Sequence, residues 1–242
     1  MAKEPTGSTL DIVYRPVWQV EHMPVDLFYA KPILRDAAGE EIAGSMPLVR
    51  LDTVEATMKR QVRYLKQAFE AFTLRYERGD RFRLMVRINS VAVATAEAAG
   101  EITDTFRTLT PDQRRHIVVE VSDFPKNLSV DNMDDITLVL MPFFDTLVAR
   151  PAQNMTDYTL FANLNYAGVC LDLGDRAIDL KLAGQLFRLF ASGAEGRRRG
   201  VWLCGLPTLQ IAKLARISQA GALSGAYMEM DSMLPGPALE GE

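Results

Sequence analysis

Few residues in this chain have the type and spacing that chemistry requires. There are two cysteines, Cys170 and Cys204, and two histidines, His22 and His116. Both thiols fall in apolar, strand-like runs without CxxC spacing, so they read as buried free cysteines rather than a redox or zinc motif. Two widely separated histidines cannot supply a histidine-rich metal site. Ser45, Ser90 and Ser122 lack a G-x-S-x-G context, and neither histidine has a visible triad partner. The glycines of "GALSG" read as turn formers rather than a phosphate loop. "NLSV" at Asn127 fits a glycosylation pattern that a cytoplasmic protein would not use. The run Arg197-Arg198-Arg199, flanked by Gly196 and Gly200, reads as a solvated helix end. The most pointed feature is Leu203-Cys204-Gly205-Leu206-Pro207. There an apolar strand ends, and a barrel enzyme would place a charged catalytic group; this chain has a thiol and a proline.

The elements that must position these residues follow from composition and periodicity. The 242 residues are 48% hydrophobic and 24% charged, the balance of a globular domain with a sizeable core. The formal charge of −4 gives no basic field for nucleic acid, so no DNA or RNA partner is expected. The amino terminus "MAKEPTGSTL" has no signal-peptide core, and no run approaches the ~18 apolar residues of a membrane span. A cytoplasmic protein without membrane contact is therefore expected. Residues 1–8 and 235–242 read as loose ends around one domain over 9–234.

Within that domain, eight apolar runs are predicted as strands: Asp11–Val20, Asp26–Leu34, Arg83–Asn89, His116–Ser122, Thr146–Pro151, Gly168–Leu173, Val201–Leu206 and Leu223–Met228. The later ones lack polar alternation, as strands covered on both faces should. Helical patterns fill most gaps. In the clearest, from Leu51 to Glu77, residues Val54, Met58, Val62, Leu65, Phe69 and Phe72 mark one apolar stripe. "SVDNMDDITLVLMPFF" opens with Ser129 and acidic residues suited to a helix start, and Pro142 should end it. "TDYTLFANLNYAG", "RAIDLKLAGQLFRLFASGAEG" and "TLQIAKLARISQAG" each close on glycine before a strand. The pattern is an α/β, (β/α)8 TIM-barrel variant. Only "EHMP" and similar short loop residues join the first two strands. That leaves no room for a parallel crossover, so strand one is expected to run antiparallel to strand two.

That irregularity, with an ordered set of motifs, resembles the EAL domain, the bacterial cyclic di-GMP phosphodiesterase fold, across nearly the whole length. "YRPVWQV" resembles the opening YQPIV strand, and "LFYAKPILR" stands where the family carries E-A-L-x-R. "LMVRINS" resembles the V-N-L-S strand and "IVVEVSD" the L-E-I-T-E strand. "WLCGLPTLQIAKL" resembles A-E-G-V-E-T and its helix. The middle aligns in two ways. One sets "LDLGDRAIDLK" against the D-D-F-G motif and catalytic lysine, matching Asp172 and Lys181, at the cost of a long insertion and a lost strand-helix unit. The other sets "TLVARP" at the fifth strand and "GVCLDLG" at the sixth, keeps normal loop lengths, and is preferred. Under it Lys181 is a surface residue.

The family's chemistry implies acidic oxygens and one amide holding divalent cations, with a lysine assisting the attacking water. Carried over position by position, the resemblance puts Lys31 at the glutamate of E-A-L, Arg87 at the asparagine of V-N-L-S, and Cys170 at the catalytic lysine. Ala149 and Arg150 take the D-D pair, and Cys204 and Pro207 the glutamates of A-E-G-V-E. Arg15 replaces the glutamine of YQP and Ser224 the closing glutamine. Glu120 and Asp172 keep the family's acidic positions, and Arg35 keeps the arginine of E-A-L-x-R. Cations at Lys31, Arg87 and Arg150 repel a divalent ion, so no metal, no cofactor and no catalytic residue are expected. A degenerate, catalytically inactive EAL-like pseudoenzyme follows, acting as a signalling regulator or adaptor through a protein partner, with a homodimer left open. Two alternatives remain. One is a metal-free receptor for cyclic di-GMP or a related nucleotide, using Arg35, Arg15, Lys31, Arg87 and Arg150; the other is a residual phosphodiesterase. Lys31 or Arg87 paired with Glu120 would favour the adaptor.

Overall fold

The computed structural model describes residues 8–19, 22–42, 53–93, 96–124, 129–152, 161, 166–195, 200–218, 220–226, 232 and 235. Ser45, Asn127, Arg197–Arg199 and most of "TDYTLFANLNYAG" lie outside them. Among the described residues, eight strands close into a barrel in sequence order: β1 (Thr9–Gln19), β2 (His22–Arg35), β3 (Arg83–Asn89), β4 (Ile117–Ser122), β5 (Thr146–Ala149), β6 (Tyr166–Asp172), β7 (Gly200–Cys204) and β8 (Ala222–Leu223). β1 is antiparallel to both its neighbours, β2 and β8, and every other pairing is parallel. The expected hairpin at the start of the barrel is therefore present. β8 starts one residue earlier than predicted and is described only to Leu223, shorter than Leu223–Met228.

The helices α1 (Val54–Glu77), α2 (Ala96–Arg107), α3 (Pro111–Arg114), α4 (Val130–Leu140), α5 (Leu180–Glu195) and α6 (Leu209–Ile217) alternate with the strands. Side-chain caps fix their starts. Thr53 Oγ1 accepts from Ala56 N, Asp179 Oδ1 from Lys181 N and Leu182 N, and Thr208 Oγ1 from Ile211 N. Pro142 lies just past the end of α4, as its missing N–H requires. Met58, Leu65, Phe69 and Phe72 of α1 are buried as predicted, together with Tyr64 and Ala68. Val54, the first residue of α1, departs from the predicted stripe: it is 37% exposed. No helix among the described residues is long and apolar enough to cross a membrane.

The alternation of side chains along each strand divides the molecule into two apolar clusters. One set of faces packs on the helices in the larger core. The other meets on the barrel axis, where Val17, Leu27, Tyr29, Met85, Val118, Val148, Cys170, Cys204 and Ala222 form a continuous inner layer. Gly168 and Gly200 make room at this layer's lower edge for the Trp202 ring; a Cβ on Gly168 would stand 2.7 Å from Trp202 Nε1.

Candidate functional site

The inner layer dictates what lies above it. Side chains on one face recur every second residue, so two steps towards the carboxyl ends of the parallel strands lead to one ring of positions. From Tyr29, Met85, Val118, Val148, Cys170 and Ala222 these steps reach Lys31, Arg87, Glu120, Arg150, Asp172 and Ser224. On antiparallel β1 the same ring lies two residues before Val17, at Arg15. The residues singled out in the sequence therefore line one barrel mouth, the end at which enzymes of this architecture place their chemistry.

Four of them form a closed set of ion pairs. Arg87 Nε donates to Glu120 Oε2 at 2.6 Å, and Arg87 Nη2 stands 3.4 Å from Asp172 Oδ2. Arg150 Nη1 lies 3.4 Å from the same Glu120 oxygen, and Arg150 Nη2 donates to Asp172 Oδ2. Glu120 is only 1% exposed. Burial pushes its carboxyl above the ordinary range, while Arg87 pulls it down. Arg87 is held in turn by its surroundings. Its guanidinium lies 5.3 Å over the Tyr29 ring, its backbone N–H donates to Tyr64 Oη, and its carbonyl accepts from Gln61 Nε2. Gln61 Oε1 accepts from Asn89 N, so two polar residues on the core side of α1 clamp the end of β3.

A second group closes the mouth from above. Asp172 Oδ1 accepts from Gly174 N and turns the chain back across the barrel. Gly174 and Asp175 follow with φ of 69° and 57°. Asp175 then receives Arg15 Nη1 on both carboxylate oxygens, at 2.8 and 2.6 Å, and Lys31 Nζ at 3.3 Å. Its Oδ1 also lies 3.3 Å from Ala226 N, and its own N–H donates to Gly205 O. Gly205 is essential to this packing. It has φ of 64°, and a Cβ there would lie 2.2 Å from Asp172 Oδ1 and 2.4 Å from Gly174 N.

Other expected site residues fall differently. Lys31 does not pair with Glu120; its described partners are Asp175 and, at 3.9 Å, Glu41, because β2 stands on the side of the mouth where the Asp175 loop descends. Arg35, four residues further along β2, donates to Asp11 Oδ2 and to Gly39 O at the rim. Lys181 is exposed on the first turn of α5, outside the mouth. Ser90 Oγ donates to Asp123 O and Ser122 Oγ to Asp123 Oδ2, so both hydroxyls bind the turn after β4. His116 stacks edge-on against Tyr76. An open groove of about 350 Å³, lined in part by Asp11, Tyr14, Gln67 and Glu70, lies against α1.

The two cysteines are buried below the ion pairs, with Sγ atoms 3.4 Å apart. The Cys204 sulfur and burial push the Cys170 thiol well above its usual value. Asp175, Gln61 and Tyr64 were not among the residues picked from sequence. The Gly174-Asp175 pair, a turn-forming dipeptide just past β6, is the sequence signal for the first; nothing local marks the other two.

The residues present do not fit the divalent cations that the EAL resemblance implies. Glu120 and Asp172 already accept from two guanidiniums, whose fixed charges oppose a cation. Among the described residues no cluster of three histidine, cysteine, aspartate or glutamate side chains could hold a metal ion.

No protein-family model matches the sequence, and no curated protein matches it. Solved structures do. The barrel is similar to the PaMucR phosphodiesterase in complex with c-di-GMP, with a TM-score of 0.68 at 15% identity, covering 92% of each chain. It is similar to the FimX EAL domain of Xanthomonas citri in complex with c-di-GMP, with a TM-score of 0.63 at 14% identity, covering 92% of this chain and 88% of that one. The Bacillus subtilis YkuI protein, with an EAL domain, in complex with c-di-GMP and calcium, gives a TM-score of 0.70 at 11% identity. That match covers 94% of this chain and 56% of the longer YkuI chain. With its closed eight-stranded barrel and its first strand reversed, this chain has the EAL-type fold.

Proposed function

We propose that this chain is a non-hydrolysing EAL-type barrel, a single domain over residues 9–234, that serves cyclic di-GMP signalling in the cytoplasm as a regulator or adaptor through protein contacts. The observation that carries the reading is the engagement of Glu120 and Asp172 by Arg87 and Arg150. Metal-assisted phosphodiester hydrolysis needs carboxylates free to bind a cation and polarise water. In this mouth two guanidiniums take the place of such a cation, and they satisfy a buried charge that would otherwise be costly. Arg15 and Lys31 are likewise engaged by Asp175, so these charges serve to close the mouth. Similarity to EAL domains solved with c-di-GMP supports the signalling context. The surface left for a partner is the rim around Lys31 and Arg35 together with the exposed helix faces.

Calorimetric titration of the purified protein with cyclic di-GMP, with and without magnesium, followed by assay for hydrolysis, tests this reading. No binding and no turnover at high micromolar nucleotide is the expected result. Metal-independent binding without turnover, lost in Arg35→Ala, would replace the adaptor with a receptor. Magnesium-dependent turnover would overturn the proposal.

A further inference from the structure

The chain has two cysteines, 34 positions apart in sequence, and the fold brings their sulfurs to 3.4 Å. The closure of the mouth makes no use of a thiol pair. We propose that Cys170 and Cys204 form an oxidisable dithiol, a modification site inside the barrel that closes to an intrachain disulfide in the folded protein. The sulfurs are already in van der Waals contact, and a bond requires them to approach to about 2.05 Å. Both side chains belong to the inner layer, and the chain has no third thiol to compete. Cys204 is 7% exposed at its upper edge, where a small oxidant arrives first.

The reaction balances with hydrogen peroxide as oxidant. Two S–H bonds break, one S–S bond forms, and two electrons and two protons reduce the peroxide to two molecules of water. The strands carry the consequence to the mouth. In the β6–β7 ladder Cys170 is opposite Trp202 and Cys204 is opposite Asp172, so the two cysteines are diagonal neighbours. Bridging them draws the two strand ends together, directly below Asp172 and beside Gly205. A bridge between diagonal positions is strained and therefore readily reduced, as reversible disulfides are.

The test uses the wild-type chain, folded, treated with hydrogen peroxide and followed by intact mass, thiol titration and tryptophan emission. The expected result is a monomer lighter by two hydrogens, with its two titratable thiols reduced to none. Trp202 emission should fall, because a disulfide beside an indole quenches it. Dithiothreitol should reverse all three changes, and the Cys204→Ala chain should keep its emission under the same oxidant. The proposal is overturned if both thiols survive in the folded chain under conditions that oxidise the urea-unfolded one. It is equally overturned if the product is a disulfide-linked dimer, if oxygen adds to the sulfurs without a bond between them, or if Cys204→Ala loses emission as the wild type does.

Discussion

Arg87 and Glu120 are direct ladder partners on β3 and β4, and the Arg87 Nε–H donates to Glu120 Oε2 at 2.6 Å. Their meeting is a consequence of register. Both side chains point to the barrel axis from adjacent positions, one layer above Met85 and Val118. Arg150, the residue just after β5, reaches the same oxygen, so a buried carboxylate is held by cations on both sides.

Arg87→Leu should therefore cost more than a surface substitution. It leaves Glu120 as a buried carboxylate with only the 3.4 Å contact to Arg150. Breaking a buried pair costs about 3–5 kcal/mol, and the remaining arginine puts this case near the lower end. Urea unfolding would measure it. Adding Glu120→Gln to Arg87→Leu should recover part of the loss by removing the charge. A loss below about 1 kcal/mol would show that the pair does not hold the mouth together.

Gly205→Ala should destabilise the protein and release the loop that closes the mouth. The new Cβ would collide with Asp172 Oδ1 and the Gly174 amide, at a backbone angle in the left-handed region. The backbone cost alone is about 1–2 kcal/mol, and the clash adds to it. Trypsin cleavage after the exposed Arg176 should be faster than in wild type. Unchanged cleavage would mean that Gly205 does not seat this loop.

Much of this arrangement was legible in the sequence because strand periodicity is a strong signal. Eight runs, one impossibly short connection and the order of motifs fixed the reversed first strand. The resemblance to the EAL motifs, carried over position by position, put Arg87, Glu120, Arg150 and Asp172 at one barrel mouth. Which carboxylate each cation chooses was not legible, since Lys31 could have met Glu120 across a barrel. The outcome depends on the descent of the Gly174-Asp175 turn, a tertiary feature set by Gly205 some thirty residues later. The thiols show the same limit: without CxxC spacing, only the lateral register of β6 and β7 brings Cys170 to Cys204. Gln61 and Tyr64 looked like ordinary helix residues, and their role depends on the end of β3 lying beneath them.

Stability should fall in alkali, and Tyr166 should account for a measurable share. Burial pushes its hydroxyl from 10.0 up to about 12. The unfolded chain thus gives up this proton more readily than the folded one. The contribution is fully present below pH 10 and lost as the pH rises to about 12, amounting to about 2–3 kcal/mol. Tyr166→Phe should flatten the stability profile by that amount over the same window. Burial also raises Tyr14, Tyr29 and Tyr64, so a residual slope should persist in the variant. A variant profile parallel to wild type would remove Tyr166 from the account.

Asp175 separates charge from backbone conformation. Its carboxylate receives Arg15, Lys31 and the Ala226 amide, while its φ of 57° is one that few residues tolerate. Asp175→Asn keeps an acceptor oxygen and a side chain at home in the left-handed region, but gives up the negative charge. Asp175→Ala gives up the acceptor as well and adds backbone strain. Hydrogen bonds to charged groups are worth about 1.5–3 kcal/mol, and alanine at this angle costs about 1 kcal/mol more. Urea unfolding should therefore rank wild type above Asn and Asn above Ala, with Ala lower than wild type by about 2–4 kcal/mol. Asp175→Gly should lie above Ala, because glycine relieves the backbone without restoring the contacts. If Asn and Ala were equally destabilised, the charge alone would close the mouth. If neither were destabilised, the Asp175 contacts with Arg15 and Lys31 would contribute nothing to the fold.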